Sequence, residues 1–162
     1  MRRSSFENLP CPVAQALDLI GDSWNVLILR EAFYGSTRFD QFHARLGIAS
    51  NVLTRRLRTL VDSGLLQRRQ YHDHPPRFEY LLTDRGRDLR PVLLTLLQWG
   101  QRHAAMATAA ELVDTRTGQP VRIALVDADS GEAIGPQHQI HRREDDQLVP
   151  VFPQTVSQAD HA

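Results

Sequence analysis

Between Phe39 and Thr83 the hydrophobic period changes from helical to strand-like, and that change restricts the fold more than any other feature of the chain. Phe39, Phe42, His43 and Leu46 recur at helical spacing and suit a short helix closing at Gly47. Ile48-Ala49-Ser50-Asn51 then makes a turn, with Ser50 as the expected N-cap of a further helix. On that helix Leu53, Leu57, Leu60 and Val61 fall on one face, and Thr54, Arg55 and Arg58 fall on another, before Asp62-Ser63-Gly64 ends it. Leu65–Tyr71 and Arg77–Thr83 are strand-like, and the polar stretch His72-Asp73-His74-Pro75-Pro76 between them predicts a β-hairpin. Helix, turn, helix and hairpin in that order predict an α+β fold of the winged helix-turn-helix plan.

The flanking segments are helical on both sides. Residues 12–34 predict two helices, the first built on Val13, Ala16, Leu17 and Ile20 and ended by Gly21. Asp22 or Ser23 can cap the second, which carries Trp24, Leu27, Ile28, Ala32 and Phe33. After the hairpin, Thr83 can cap a long helix in which Pro91 implies a kink or a restart. Val92, Leu93, Leu96, Leu97 and Trp99 give that helix an apolar face wider than one small domain covers, so it calls for a partner. From about residue 113 the pattern changes to short β-like runs at 112–113, 121–126 and 133–134, and no internal repeat is apparent. The expected division is a winged helix-turn-helix and dimerisation domain over 1–103, a helix end and small β-rich appendage over 104–134, and a largely flexible tail over 135–162.

Charge points to a polyanionic partner. The chain has 19 Lys+Arg, all of them arginine, against 19 Asp+Glu, so its formal net charge is zero. The balance is uneven, since residues 1–103 hold 15 Arg against 10 acids and residues 104–162 hold 4 against 9. Arginine forks suit phosphate oxygens and guanine edges. A basic segment with an acidic appendage marks a candidate nucleic-acid binder. No apolar run approaches the ~20 residues that a bilayer needs, so a cytoplasmic protein without a membrane partner is expected. There is no phosphate-cradling glycine loop, no nucleophile elbow and no companion sequence for a catalytic cysteine, so no enzyme activity is expected.

A brace helix at 39–46 leaves the N-terminal part of the next helix free to enter a major groove about 12 Å wide. Ser50, Asn51, Val52, Thr54 and Arg55 are its first exposed positions and could reach base edges. Arg55, Arg56 and Arg58 could hold phosphates, and Arg69 and Arg77 flank a wing tip placed to touch an adjacent backbone or minor groove. The bland reading is a helical domain with an arginine-studded surface. The function that competes most directly is a winged helix serving protein–protein contact or RNA binding, without sequence-specific DNA binding.

Several strings resemble one family. They are Cys11-Pro12-Val13, Leu17–Trp24, Ile28–Glu31, Gly35–Phe39, Leu53–Leu57, Ser63-Gly64-Leu65, Pro75–Tyr80 and Leu82–Gly86. In this order they are similar to the signature of the HxlR-type regulators. The resemblance covers roughly 11–103 and implies a winged-helix homodimer on a pseudo-palindromic DNA operator, usually a repressor and sometimes an activator. It also implies dimerisation through the N-terminal helix and the helix after Thr83, and a phosphate contact from Arg38.

Some relatives sense oxidants or electrophiles at a cysteine in the position of Cys11, the only cysteine of this chain. Sensing needs an exposed, acidified thiol, whereas the alternative is a small apolar residue at the dimer seam. An effector is thus expected to be either a reactive species at Cys11 or a small molecule. His72-Asp73-His74 and His138-x-x-His141 lack third and fourth ligands, so no metal and no cofactor is expected. Some longer relatives carry a zinc ribbon as an appendage. Here Thr117, Asp127 and Ser130 stand in the thiolate positions, leaving either a ribbon without its metal or an ordinary pair of hairpins.

Overall fold

A proline starts the first helix, α1 (Pro12–Ile20), where its missing N–H costs nothing, and Cys11 is the extended N-cap residue. The computed structural model describes Phe6 and residues 8–103 and 110–151. Asp22 then caps α2 (Ser23–Phe33), its carboxylate accepting from the Trp24 N–H at 3.0 Å. Entry to α3 (Phe39–Leu46) is held by Gln41, whose side-chain oxygen accepts from the Thr37 N–H at 2.8 Å and the Arg38 N–H at 2.9 Å. Gly47 ends α3 at φ 59°, in the left-handed region where glycine is least strained.

The helix that follows, α4 (Ser50–Asp62), starts differently from expectation. Ala49 is its N-cap and makes no side-chain cap, so Ser50 is already the first helical residue. The Ser50 carbonyl accepts from the Thr54 hydroxyl at 2.8 Å. Leu53, Leu57 and Leu60 are completely buried, and with Ile28, Leu29, Phe42, Ile48, Leu65 and Leu66 they form the core. This is the apolar stripe that the sequence spacing predicts, with Val61 at its edge.

Strands β1 (Leu66–His72) and β2 (Arg77–Leu82) pair antiparallel, with Leu66 opposite Leu82 and Arg69 opposite Glu79. The register slips between Gln70 and His72, just before the tip. A bridge between Arg38 and Glu79 adds a third piece of extended chain, and the Tyr80 N–H donates to the Thr37 carbonyl at 2.7 Å. The hairpin is therefore fastened to the entry of α3 as well as to the end of α4.

Thr83 caps the next turn, accepting from the Gly86 N–H at 3.0 Å while its hydroxyl donates to the Gly64 carbonyl at 2.6 Å. A Cβ on Gly86 would lie 2.1 Å from the Leu65 carbonyl oxygen, so no other residue fits that approach. The helix restarts around Pro91, giving α5 (Asp84–Arg87) and then α6 (Arg90–His103). No residue of α1 or of α6 is buried.

The chain divides into two compact units at Val121/Arg122, so the first reaches beyond residue 103 and takes in part of the expected appendage. The predicted β-runs shrink to isolated bridges, Val113 with Pro120 and Val126 with Ala133. Around them lies a repeat that hydrophobic periodicity overlooks. Leu112-Val113-Asp114-x-x-Thr117-Gly118 recurs as Leu125-Val126-Asp127-x-x-Ser130-Gly131. In the first copy the Asp114 side chain accepts from the Arg116 N–H at 2.8 Å, and its carbonyl accepts from the Gly118 N–H at 2.7 Å. In the second, Asp127 does the same for Asp129 and Gly131, both at 2.8 Å. Both glycines have φ above 70°.

Residues 141–150, expected within a flexible tail, form a hairpin in the second unit, β3 (His141–Glu144) and β4 (Gln147–Pro150). Its two turn residues, Asp145 and Asp146, both take positive φ, as a tight two-residue hairpin demands. The end of that tail, 152–162, and the linking stretch 104–109 lie outside the described residues.

Candidate nucleic-acid interface

Burying Leu53, Leu57 and Leu60 turns the other side of α4 outward. Ser50, Asn51, Thr54, Arg55 and Arg58 are exposed there, and Val52 is half-buried at the edge. Some of their polar capacity is used locally. The Asn51 side chain accepts from the Val52 N–H at 2.8 Å, and Arg58 lies 3.8 Å from Asp62 one turn on. Arg55 has no ion-pair partner among the described residues, so its guanidinium is free for a ligand.

Arg56 departs from its expected place on the phosphate-binding side. It is half-buried, and its guanidinium meets the Asp22 carboxylate at 2.6 Å, with both side chains less than a fifth exposed. The helical period explains this: Arg56 lies three residues from Leu53 and four from Leu60, so it flanks the buried stripe. Asp22 thereby performs two tasks, capping α2 with one oxygen and fixing α4 with the other.

On the wing, Arg77 is exposed and has no ion-pair partner among the described residues. Arg69 is paired with Glu79 at 2.7 Å, which lowers the charge it offers a phosphate. Arg38, from the start of α3, reaches the wing and stacks 4.5 Å above the Tyr71 ring. Arg68 lies 3.4 Å over the Phe78 ring. Tyr71 and the second role of Asp22 escape a reading of the sequence because their partners, Arg38 and Arg56, are far along the chain. Aromatic residues within a basic hairpin were the available signal. The structure thus brings the outer side of α4 and the wing into the first unit, with Arg38 joined to the wing.

Cys11 is exposed, and so are Val13 and Leu17 on the helix it caps. Both members of the His138-x-x-His141 pair, and His72, make local contacts. His72 Nδ1 lies 3.1 Å from the Pro75 carbonyl, and His138 Nδ1 accepts from the Gly135 N–H at 3.1 Å. Among the described residues no group of three or more His, Cys, Asp or Glu side chains could hold a metal, and no helix is long and apolar enough to cross a membrane.

The chain is similar to known proteins in sequence and in fold. An uncharacterised HTH-type transcriptional regulator of Mycobacterium tuberculosis is 48% identical over 91 residues, covering 56% of this chain and 58% of that protein. The chain thus spans less than two thirds of the length of that relative. The crystal structure of PA1607, described as a candidate transcription factor, matches with a TM-score of 0.78 at 39% identity. That match covers 87% of this chain and all of the other, so it extends past the first unit. The redox regulator HypR in its reduced form matches at 35% identity with a TM-score of 0.55, over 59% of this chain and 95% of its own. The family model for HxlR-like helix-turn-helix proteins matches residues 19–108, more than half of the sequence, and the chain belongs to that family.

Proposed function

We propose that this chain is a DNA-binding transcriptional repressor that acts as a homodimer on a pseudo-palindromic operator. The observation that carries the reading is the two-sidedness of α4, which buries three leucines completely while presenting Asn51, Thr54 and an unpaired Arg55 to solvent. Those residues, with Ser50 and Val52, form the base-reading set. Arg58, Arg77, Arg38 and, to a lesser degree, Arg69 contact phosphates. Arg56 is left out of the set because Asp22 already holds it.

Dimerisation uses α1 and α6. Val13 is 65% exposed and Trp99 64%, with Leu17, Val92 and Leu96 also open on two helices that have no fully buried residue in a single chain. A two-fold axis through that face sets two α4 helices about one DNA turn, ~34 Å, apart. An effector shifts their spacing, either a reactive species at the exposed Cys11 or a bound small molecule. HypR, solved in reduced and oxidised forms, supports the first route by its name alone.

The test is selection of genomic DNA fragments by purified protein over a salt series, repeated with Arg55→Ala. Enrichment of a short inverted repeat is expected, with Arg55→Ala weakening it by ~1–3 kcal/mol. Recovery of no sequence and no salt-dependent affinity would favour the protein-interaction reading.

A further inference from the structure

Where α2 and α6 pack together, the first unit contains a cavity of about 430 Å³. Its wall is apolar: Val26, Leu27 and Phe33 from α2 and Leu94 and Leu97 from α6, together with Leu96, which also belongs to the open face of α6. A volume of that size lies within the range of small-molecule pockets, which combine an apolar wall with a few oriented polar groups.

The polar groups here are unequal. Arg30 lines the cavity, but its guanidinium is matched by the buried Glu31 carboxylate at 2.7 Å. Arg90 also lines it, is exposed, and has no ion-pair partner among the described residues. It is the first residue of α6. The acid of the lining, Glu111, belongs to the opposite end. Its neighbour Ala110 accepts from the Gln101 side chain at 2.6 Å, and Gln101 lies about 16 Å from Arg90 along α6 at 1.5 Å per residue. The cavity is therefore a greasy slot with a free cation at one end and its acid far from it.

We infer that this cavity binds an apolar monocarboxylate, with its body between α2 and α6 and its head group on Arg90. A guanidinium takes a carboxylate through two parallel hydrogen bonds, which fixes the orientation of the ligand. The position also suits an effector. α2 is tied to the DNA-facing helix through Asp22 and Arg56, and α6 carries the apolar face that awaits a partner. A ligand wedged between them acts on the link between dimer and DNA-binding helix. That regulatory role rests on the repressor reading, whereas binding itself does not.

The experiment is calorimetry on the full chain without DNA, using decanoate and 1-naphthoate as probes and decanol as the uncharged control. One site per chain is expected for at least one carboxylate. Arg90→Gln should weaken it tenfold or more and leave decanol unchanged, while Leu94→Trp should abolish binding by filling the slot. Arg90 is exposed, so its variant keeps the test sound if Leu94→Trp misfolds. No saturable binding of either carboxylate, or equal affinity in Arg90→Gln, overturns the proposal. So does a carboxylate that binds only by dispersing the dimer, seen by sedimentation, since the cavity then belongs to the contact between copies. Fragment selection, run separately, fails only if the repressor reading fails.

Discussion

Helices α4 and α6 are nearly equal in length, 13 and 14 residues, and both are rich in leucine, yet the fold treats them in opposite ways. α4 has three residues with no exposed surface at all, and α6 has none that is buried. The difference teaches what kind of stability each has. α4 is completed within one chain, wedged among α2, α3 and β1, so its outer side is free for a ligand. α6 is completed only in part, with Leu93 packed against the core while Val92, Leu96 and Trp99 face outward. An apolar surface of that kind on a helix marks an interaction site, because water penalises it until something covers it.

That contrast can be broken experimentally. Leu57→Ala should cost about 2–5 kcal/mol of unfolding free energy, since a filled core position leaves a cavity behind. Urea denaturation measures it, and a loss below 1 kcal/mol would show that α4 is less firmly seated than its burial implies. Arg56→Ala comes next, at about 2 kcal/mol, between the values for surface and fully buried ion pairs. Asp22→Ala should cost about 1 kcal/mol more, because it also removes the cap of α2, and the double variant should lose less than the sum of the two, which a double-mutant cycle reads directly.

Trp99→Ser sharpens the other half of the comparison. Unfolding of the isolated monomer should change by no more than about 0.5 kcal/mol, as for an exposed surface site. Self-association measured by sedimentation should weaken at least tenfold. A loss of monomer stability as large as that of Leu57→Ala would instead place Trp99 in the packing of its own chain.

The smallest effect concerns the two aspartate turns. The hydrogen bond from the Arg116 side chain, aided by backbone N–H groups, holds the Asp114 carboxyl below its ordinary value, and the Asp129 and Ser130 N–H groups do so for Asp127. A lowered folded-state value means that the stabilisation is present above the ordinary aspartate range and lost as pH falls through the folded value. Both turns should therefore hold down to about pH 4 and loosen only below it. Amide chemical shifts of Gly118 and Gly131 followed through an acid titration check this.

Much of the fold was legible because it depends on local period. Leu53, Leu57 and Leu60 recur at helical spacing, the two strands bracket a proline-bearing turn, and Thr83 stands where a cap is needed. Boundaries were less legible: Ser50 is a better cap by residue type than Ala49, but the turn after Gly47 brings the chain into helical geometry one residue sooner. The 141–150 hairpin was missed because Asp-Asp is a weaker turn signal than Asn-Gly, and its strands bury almost nothing. The repeated aspartate turns were missed because only their Leu-Val-Asp and glycine positions match closely. Their likeness lies in hydrogen bonds.

Spacing along the chain fixes the helices and wing strands of the first unit, which leucines face inward, and where the arginines concentrate. These follow from spacing, and spacing is a property of the chain. Tertiary contacts settle which arginines remain available. Arg55 and Arg56 are neighbours of the same chemistry, yet one is free and the other is held by Asp22, thirty-four residues earlier. An arginine side chain is long and flexible, and its charge goes to whichever carboxylate folding brings within reach.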